Sequence, residues 1–141
     1  MKRTFVLFAA MSYLVTAQPA AAQQAVDMVG TWKGKATAAH LGSNPYRDTK
    51  GNVVNFPDEI LEFTFVIKEQ KGNRFGGTST AGGRSETIVG ALSPDGTNGL
   101  MLDDDGQYMM TIKDQNTINV CYFHANSSGR VVACYPLNRA Q

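Results

Sequence analysis

Two cysteines, two histidines, five tyrosines and a run of three aspartates are the side chains of this 141-residue sequence with chemistry to offer. Cys121 and Cys134 flank the turn cluster Asn126-Ser127-Ser128-Gly129. A turn centred between Ser127 and Ser128 sets opposite each other residues whose numbers add to 255. Cys121 and Cys134 meet that condition, as do His124 and Val131. The register therefore predicts a cross-strand disulfide. It closes a loop of fourteen residues and is worth about 3 kcal/mol in the chain-entropy model. There is no Cys-x-x-Cys and no third cysteine, so the bridge reads as structural rather than redox-active. A Cys/His metal set with His124 lacks both ligand spacing and a fourth group.

The other chemistry-bearing residues select no reaction. Asp103-x-Asp105-Gly106 begins as a calcium loop does. The twelfth position, however, is Asp114, with a strand between, where an EF-hand loop carries a bidentate Glu. A solvated hairpin turn is the simpler reading. Glu59, Glu62 and Glu69 fall on the solvent face of one strand. No glycine-rich loop precedes a Lys-Ser/Thr pair and a helix, and there is no His-Glu-x-x-His or Gly-x-Ser-x-Gly. His40 and His124 have no spacing that marks a catalytic pair. The expectation is a protein without catalytic residues, metal or cofactor, and not an enzyme.

What must position these residues is a series of strands. Leu61, Phe63, Phe65 and Ile67 alternate with Glu62, Thr64, Val66 and Lys68, the period of a half-buried strand within Ile60–Gln70. Further strands are predicted over Met28–Ala38, Arg74–Thr80, Glu86–Leu92, Gly99–Leu102, Gln107–Lys113, Thr117–His124 and Arg130–Leu137. Short Gly/Asn/Asp/Ser clusters and Ser93-Pro94-Asp95-Gly96 turn the chain between them. Gly76-Gly77 marks a bulge or sharp bend. The fold class is all-β: eight antiparallel strands in up-and-down meander order, closed into a barrel so that no sheet edge is left open. One connection, residues 39–59, is long and shows no element. It carries Tyr46, Arg47 and Phe56, and is either a cover for the barrel mouth or a surface excursion.

The amino terminus has a different logic. Met1-Lys2-Arg3, an apolar run from Thr4 to Ala17 and Ala20-Ala21-Ala22 form a secretory signal peptide with a cut before Gln23. The domains are thus 1–22, signal, and 23–141, one barrel. The apolar run is short for a membrane span, and no second one follows. The cut removes Lys2 and Arg3, so the 13 basic residues become 11 against 12 acidic, and the balance moves from +1 to −1. That excludes a nucleic-acid binder resting on a basic excess. The chain is read as periplasmic or secreted.

Gly30-Thr31-Trp32 on the first strand of an eight-stranded meander resembles the calycin superfamily: lipocalins, fatty-acid-binding proteins and avidins. Val29-Gly30-Thr31-Trp32 and Phe75-Gly76-Gly77-Thr78-Ser79-Thr80 are similar to avidin wording, and the long first connection to the lipocalin lid loop. The Gly-Thr-Trp start, with the Cys-Tyr pattern at the end, also resembles small exported bacterial proteins of uncharacterised role. The calycin resemblance implies that Trp32 closes one end of the barrel beside a basic side chain from a late strand. Biotin binding does not carry over, because Trp32 is the sole Trp.

Placing Trp32 and the Phe63/Phe65 row inward brings Ile88, Leu100, Tyr108, Met110, Val120, Tyr122, His124 and Tyr135 with them. The disulfide then lies outside with Phe123 and Val132. An apolar lumen with a few polar tips is how ligand pockets are composed. Trp32, Phe63, Phe65, Tyr108, Tyr122, His124 and Tyr135 are thus the candidate ligand-binding residues. Two readings follow. One is an exported barrel holding a small apolar or aromatic ligand. The other is a protein-interaction module acting through the 39–59 connection, with Tyr46, Arg47 and Phe56 as contacts, and through the barrel surface.

Overall fold

A computed structural model describes residues 26–43, 46 and 53–141. The predicted signal segment 1–22 and Arg47 lie outside the described residues. Ten strands form one antiparallel sheet. They are β1 (Gly30–Ala36), β2 (Ala39–Gly42), β3 (Val54–Asn55), β4 (Leu61–Lys71), β5 (Arg74–Ala81), β6 (Arg84–Leu92), β7 (Asn98–Leu102), β8 (Gln107–Ile112), β9 (Thr117–Ala125) and β10 (Gly129–Arg139). Strands β1 and β4 to β10 pair in sequence order, and β1 pairs back onto β10. This is the expected closed eight-stranded barrel, consistent with a calycin-like up-and-down barrel. Each strand of the barrel begins within two residues of its predicted start.

The 39–59 connection differs from the expectation of no element. It contains β2 and β3. The β2 strand continues the register that β1 holds against β10. Trp32 faces Arg139 in β1, and His40 faces Val131 in β2. One long strand is thus interrupted at Thr37-Ala38, and its far half leaves β4 to pair with β3. The two-residue β3 was illegible because Val54-Asn55 is too short to show any period.

The register elsewhere follows side-chain chemistry. Cys121 faces Cys134 across β9 and β10, and the two form a disulfide on the outer face. The pairing of β4 with β5 shifts between Ile67 and Glu69, opposite Gly77 and Gly76. The extra residue, Lys68, makes a bulge on β4, while the glycines sit on the partner strand. A Cβ at Gly77 would run into the Val66 carbonyl, so only glycine fits there.

The barrel interior is solid over most of its length. Trp32, Phe65, Ile88, Met101, Tyr108, Ile118 and Val120 are fully buried. Leu100 was expected inside and is not: it is 61% exposed, while Met101 is buried. Leu100, Met101 and Leu102 are all apolar, so β7 offers no alternation from which to read its faces. Pairing fixes them instead, since Met101 faces inward Tyr108.

The two ends of the barrel are unlike. At one end the segment before β1 folds inward. Val26 and Met28 are buried, and Gln70 holds both through backbone hydrogen bonds. The Trp32 indole N–H donates to the Met28 carbonyl at 2.9 Å. The Arg139 guanidinium lies 4.2 Å from the centroid of the Trp32 ring. It also donates to the carbonyls of Val29, Asp27 and Gln115. Trp32 beside a late basic residue is what the calycin resemblance implied. The opposite end, where β4, β6, β8 and β10 begin, is the mouth.

Candidate functional site

At the mouth the inward residues become small. Ala36 on β1, Ala38 just after it and Ala133 on β10 leave a space that larger side chains fill deeper in the barrel. Phe63 on β4, Tyr108 on β8 and Tyr122 on β9 wall this space, with Asp103 from the β7–β8 turn and Tyr46 from the β2–β3 connection. The enclosed volume is about 30 Å³. That holds one or two waters, against the roughly 300–1,000 Å³ of a drug-sized ligand pocket. Tyr46 is half-buried, packs edge-on to Phe63 with ring centroids 6.0 Å apart, and rests against Gly82 of the β5–β6 turn. It lies over the mouth, packed against the barrel. Phe56, in contrast, is 76% exposed.

The aromatic residues form a connected set. Phe63 stacks on Tyr135 at 5.3 Å, Phe65 meets Tyr108 edge-on at 5.6 Å, and Tyr108 lies 4.8 Å from Tyr122. Of the sequence-predicted ligand residues, the structure brings Phe63, Tyr108 and Tyr122 to the cavity wall. Phe65 lies in the filled middle, and Trp32 closes the far end. Tyr135 is buried, and its hydroxyl lies within reach of the Tyr108 hydroxyl without a hydrogen bond of good geometry.

His124 is buried at the rim, with both ring nitrogens engaged. Its Nδ1 is 2.6 Å from the Asp105 carbonyl, and its Nε2 is 2.8 Å from the Asn126 side-chain nitrogen. A carbonyl only accepts and an amide nitrogen only donates, so this is the Nδ1–H form of the neutral ring. His124 ties the β7–β8 turn to the β9–β10 turn. His40 is also buried, in β2, facing Asn55 and Val131 across the sheet.

Carboxylates gather at the same end. Glu86 is only 8% exposed and, like Ile88, points inward from β6. Carboxylate oxygens of Glu86, Asp103 and Asp105 all lie within 4.8 Å of one another. Asp103 accepts from the backbone N–H groups of Asp105 and Gly106, which shapes the turn. Tyr122 donates to Asp105 at 3.0 Å. Burial, then the charges of Asp103, Asp105 and Asp104, push the Glu86 carboxyl up to about 7, with Arg84 opposing. Burial and the Glu86 and Asp103 carboxylates push Tyr46 up to about 12. Tyr108, Tyr122 and Tyr135 are pushed higher still, again first by burial. All four phenols therefore stay protonated, and Tyr122 donates to Asp105.

The sequence reading missed Glu86 and Asp103 as site residues. The signal for Glu86 was its parity with Ile88 in one strand, a carboxylate on an inward row. Asp103 looked like turn chemistry, which it also performs.

No protein-family model matches the chain, and no curated protein matches it. Among solved structures, an S-type phycobiliprotein lyase from Guillardia theta aligns over 81% of this chain and 89% of its own. The identity is 8% and the TM-score 0.37, a likeness that says nothing of what this chain binds. No described helix is long and apolar enough to cross a membrane.

Proposed function

We propose that this chain is an exported, non-enzymatic binding barrel that holds a small ligand at its mouth. The observation that supports it most is the cavity walled by Phe63, Tyr108 and Tyr122 and crossed by Tyr46. Three flat aromatic faces with one carboxylate, Asp103, suit a small aromatic or apolar molecule with a single polar group. The filled interior below restricts the ligand to the mouth. A ligand of more than a few heavy atoms takes the place that the Tyr46 ring now fills. Export rests on the amino-terminal signal pattern, and the Cys121–Cys134 disulfide fits an oxidising compartment.

The experiment is a titration of isotope-labelled protein with small neutral aromatics such as indole and phenol, followed by amide chemical shifts. The reading expects saturable shifts at Ala36, Phe63, Tyr108, Tyr122 and Ala133, with the Trp32 end unmoved. Shifts confined to the outer face of the barrel, or none at millimolar probe, would refute it.

One observation favours the second reading, a protein-interaction module. Val53, Val54, Phe56 and Ile60 are all exposed within eight residues. Four large apolar side chains in water on one short stretch are what a contact segment presents. Deleting residues 53–56 with retained fold then abolishes partner capture; unchanged capture would exclude this segment.

A further inference from the structure

We propose that copies of this chain bind one another head-to-tail, the 53–60 segment of one copy seating its apolar side chains in an outer trough on strands β6 to β8 of the next. This deepens the contact-segment reading, on which it rests, and is independent of the ligand reading. Of the ten large apolar side chains exposed among the described residues, four are Val53, Val54, Phe56 and Ile60. Four more, Val89, Leu100, Leu102 and Met109, sit on the outer face of β6, β7 and β8. Val89 faces Leu102, Ala91 faces Leu100, and Leu100 faces Met109, so these residues form one surface. Exposed apolar side chains are thus gathered into two clusters, and clusters of this kind mark contact sites where single residues do not.

The two clusters complement each other in shape and charge. The trough measures about 640 Å³ and is lined by Val89, Ala91, Leu100 and Leu102, with Arg74 of β5 and Gln107 of β8 on either side. That is the size of a site that takes a drug-sized molecule, ample for the Phe56 ring and its apolar neighbours. On the other cluster, pairing of β3 with β2 ties the start of the segment to the sheet while Phe56 stays in water. A segment held in this way has less freedom to lose on docking. Residues 53–60 contain two acids, Asp58 and Glu59, and no base. The one charged residue lining the trough is Arg74, and no ion pair among the described residues engages it. An acidic segment beside a lone arginine fixes which way the segment lies.

Topology directs the contact to a second copy. In the closed ring of eight strands, β7 lies four strands from β1 in either direction. The 53–60 segment runs from β3, beside β2, to β4, beside β1. Segment and trough are therefore on opposite sides of the barrel, and a chain cannot fill its own trough. A contact between two different patches is heterologous, and it builds rings or open chains rather than closed pairs. A buried phenylalanine hides about 150–250 Å². With Val54 and Ile60 beside it, the contact belongs to the class under about 1,200 Å², where association is weak and reversible.

The test is sedimentation of the whole mature chain, with complementary variants. The average mass of the wild type should rise with concentration between about 1 μM and 1 mM, the affinity range of small interfaces. Phe56→Ala removes the inserted ring. Leu100→Glu spoils the trough and repels Asp58 and Glu59. Each should weaken self-association at least about tenfold. Val132→Ser, at an exposed apolar residue outside both clusters, should not. Mixed in equal amounts, Phe56→Ala and Leu100→Glu should restore a one-to-one complex, because one keeps the trough and the other keeps the segment. Patches that bind their own kind cannot be restored in this way. Circular dichroism checks each fold, and Leu102→Glu replaces Leu100→Glu if that variant unfolds. A wild type that stays monomeric, a folded Phe56→Ala that associates as the wild type does, or a mixture that forms no complex would each overturn the inference. A monomeric wild type that captures another protein through residues 53–56 would keep the contact-segment reading while this inference fails.

Discussion

Tyr122 and Tyr135 show how one functional group has opposite value at neighbouring sites. The Tyr122 hydroxyl has a carboxylate to donate to, and the Tyr135 hydroxyl has no completed bond. Removing a buried polar group without a partner releases its desolvation cost, whereas removing a partnered one loses a bond. Tyr135→Phe should therefore leave stability unchanged or raise it by up to about 1 kcal/mol. Tyr122→Phe should lower it by about 1 kcal/mol, the worth of an exposed bond to a charged group. Chemical denaturation of both variants checks the pair; a loss of more than about 2 kcal/mol for Tyr135→Phe would mean that its hydroxyl is bonded. The identity of these residues was legible from alternation in β9 and β10. Their hydrogen bonds were not, because they depend on where the Asp103–Asp105 turn lands across the mouth.

The strands show what sequence patterning carries and where it stops. In β4 the apolar and polar residues alternate cleanly, and Phe63, Phe65 and Ile67 are buried as read. In β9 and β10 the arithmetic of the turn placed Cys121 opposite Cys134, and the ladder has that register. In β7 both faces are apolar, so Leu100 was put on the wrong side. In β6 the inward Glu86 broke the pattern, a carboxylate on the buried row. The glycines opposite the β4 bulge were legible as a special site, and their role can be tested. Gly77→Ala forces a Cβ against the Val66 carbonyl, which is backbone and cannot step aside. The expected loss is about 3 kcal/mol or more, on the scale of severe overpacking. Thermal unfolding checks it, with Gly76→Ala as control. A Cβ at Gly76 meets nothing closer than 3.6 Å, so the control should lose far less. Equal losses at the two positions would contradict the register.

As a whole, the molecule is a plugged barrel whose two ends differ. The Trp32 end is sealed by the residues before β1, by the Trp32 indole and by Arg139. The middle is filled by fully buried side chains. Among the described residues, small side chains, aromatic faces, turn acids and a crossing tyrosine meet at the mouth, and they come from β1, β4, β6, β8, β9, β10 and two connections. Strand count, order and the sealed end could be read from spacing and the Gly-Thr-Trp start. The mouth could not, because a meander brings its residues together from positions as far apart as Ala36 and Ala133. The most direct test of the binding reading is native mass spectrometry of the mature protein purified from its own host, compared with the same sample denatured. The expected result is a co-purifying small organic mass that is lost on denaturation and absent from Ala133→Phe, whose ring would fill the mouth. A bare wild-type polypeptide under the same conditions would contradict the account, and the exposed 53–60 stretch would then become the place to look for function.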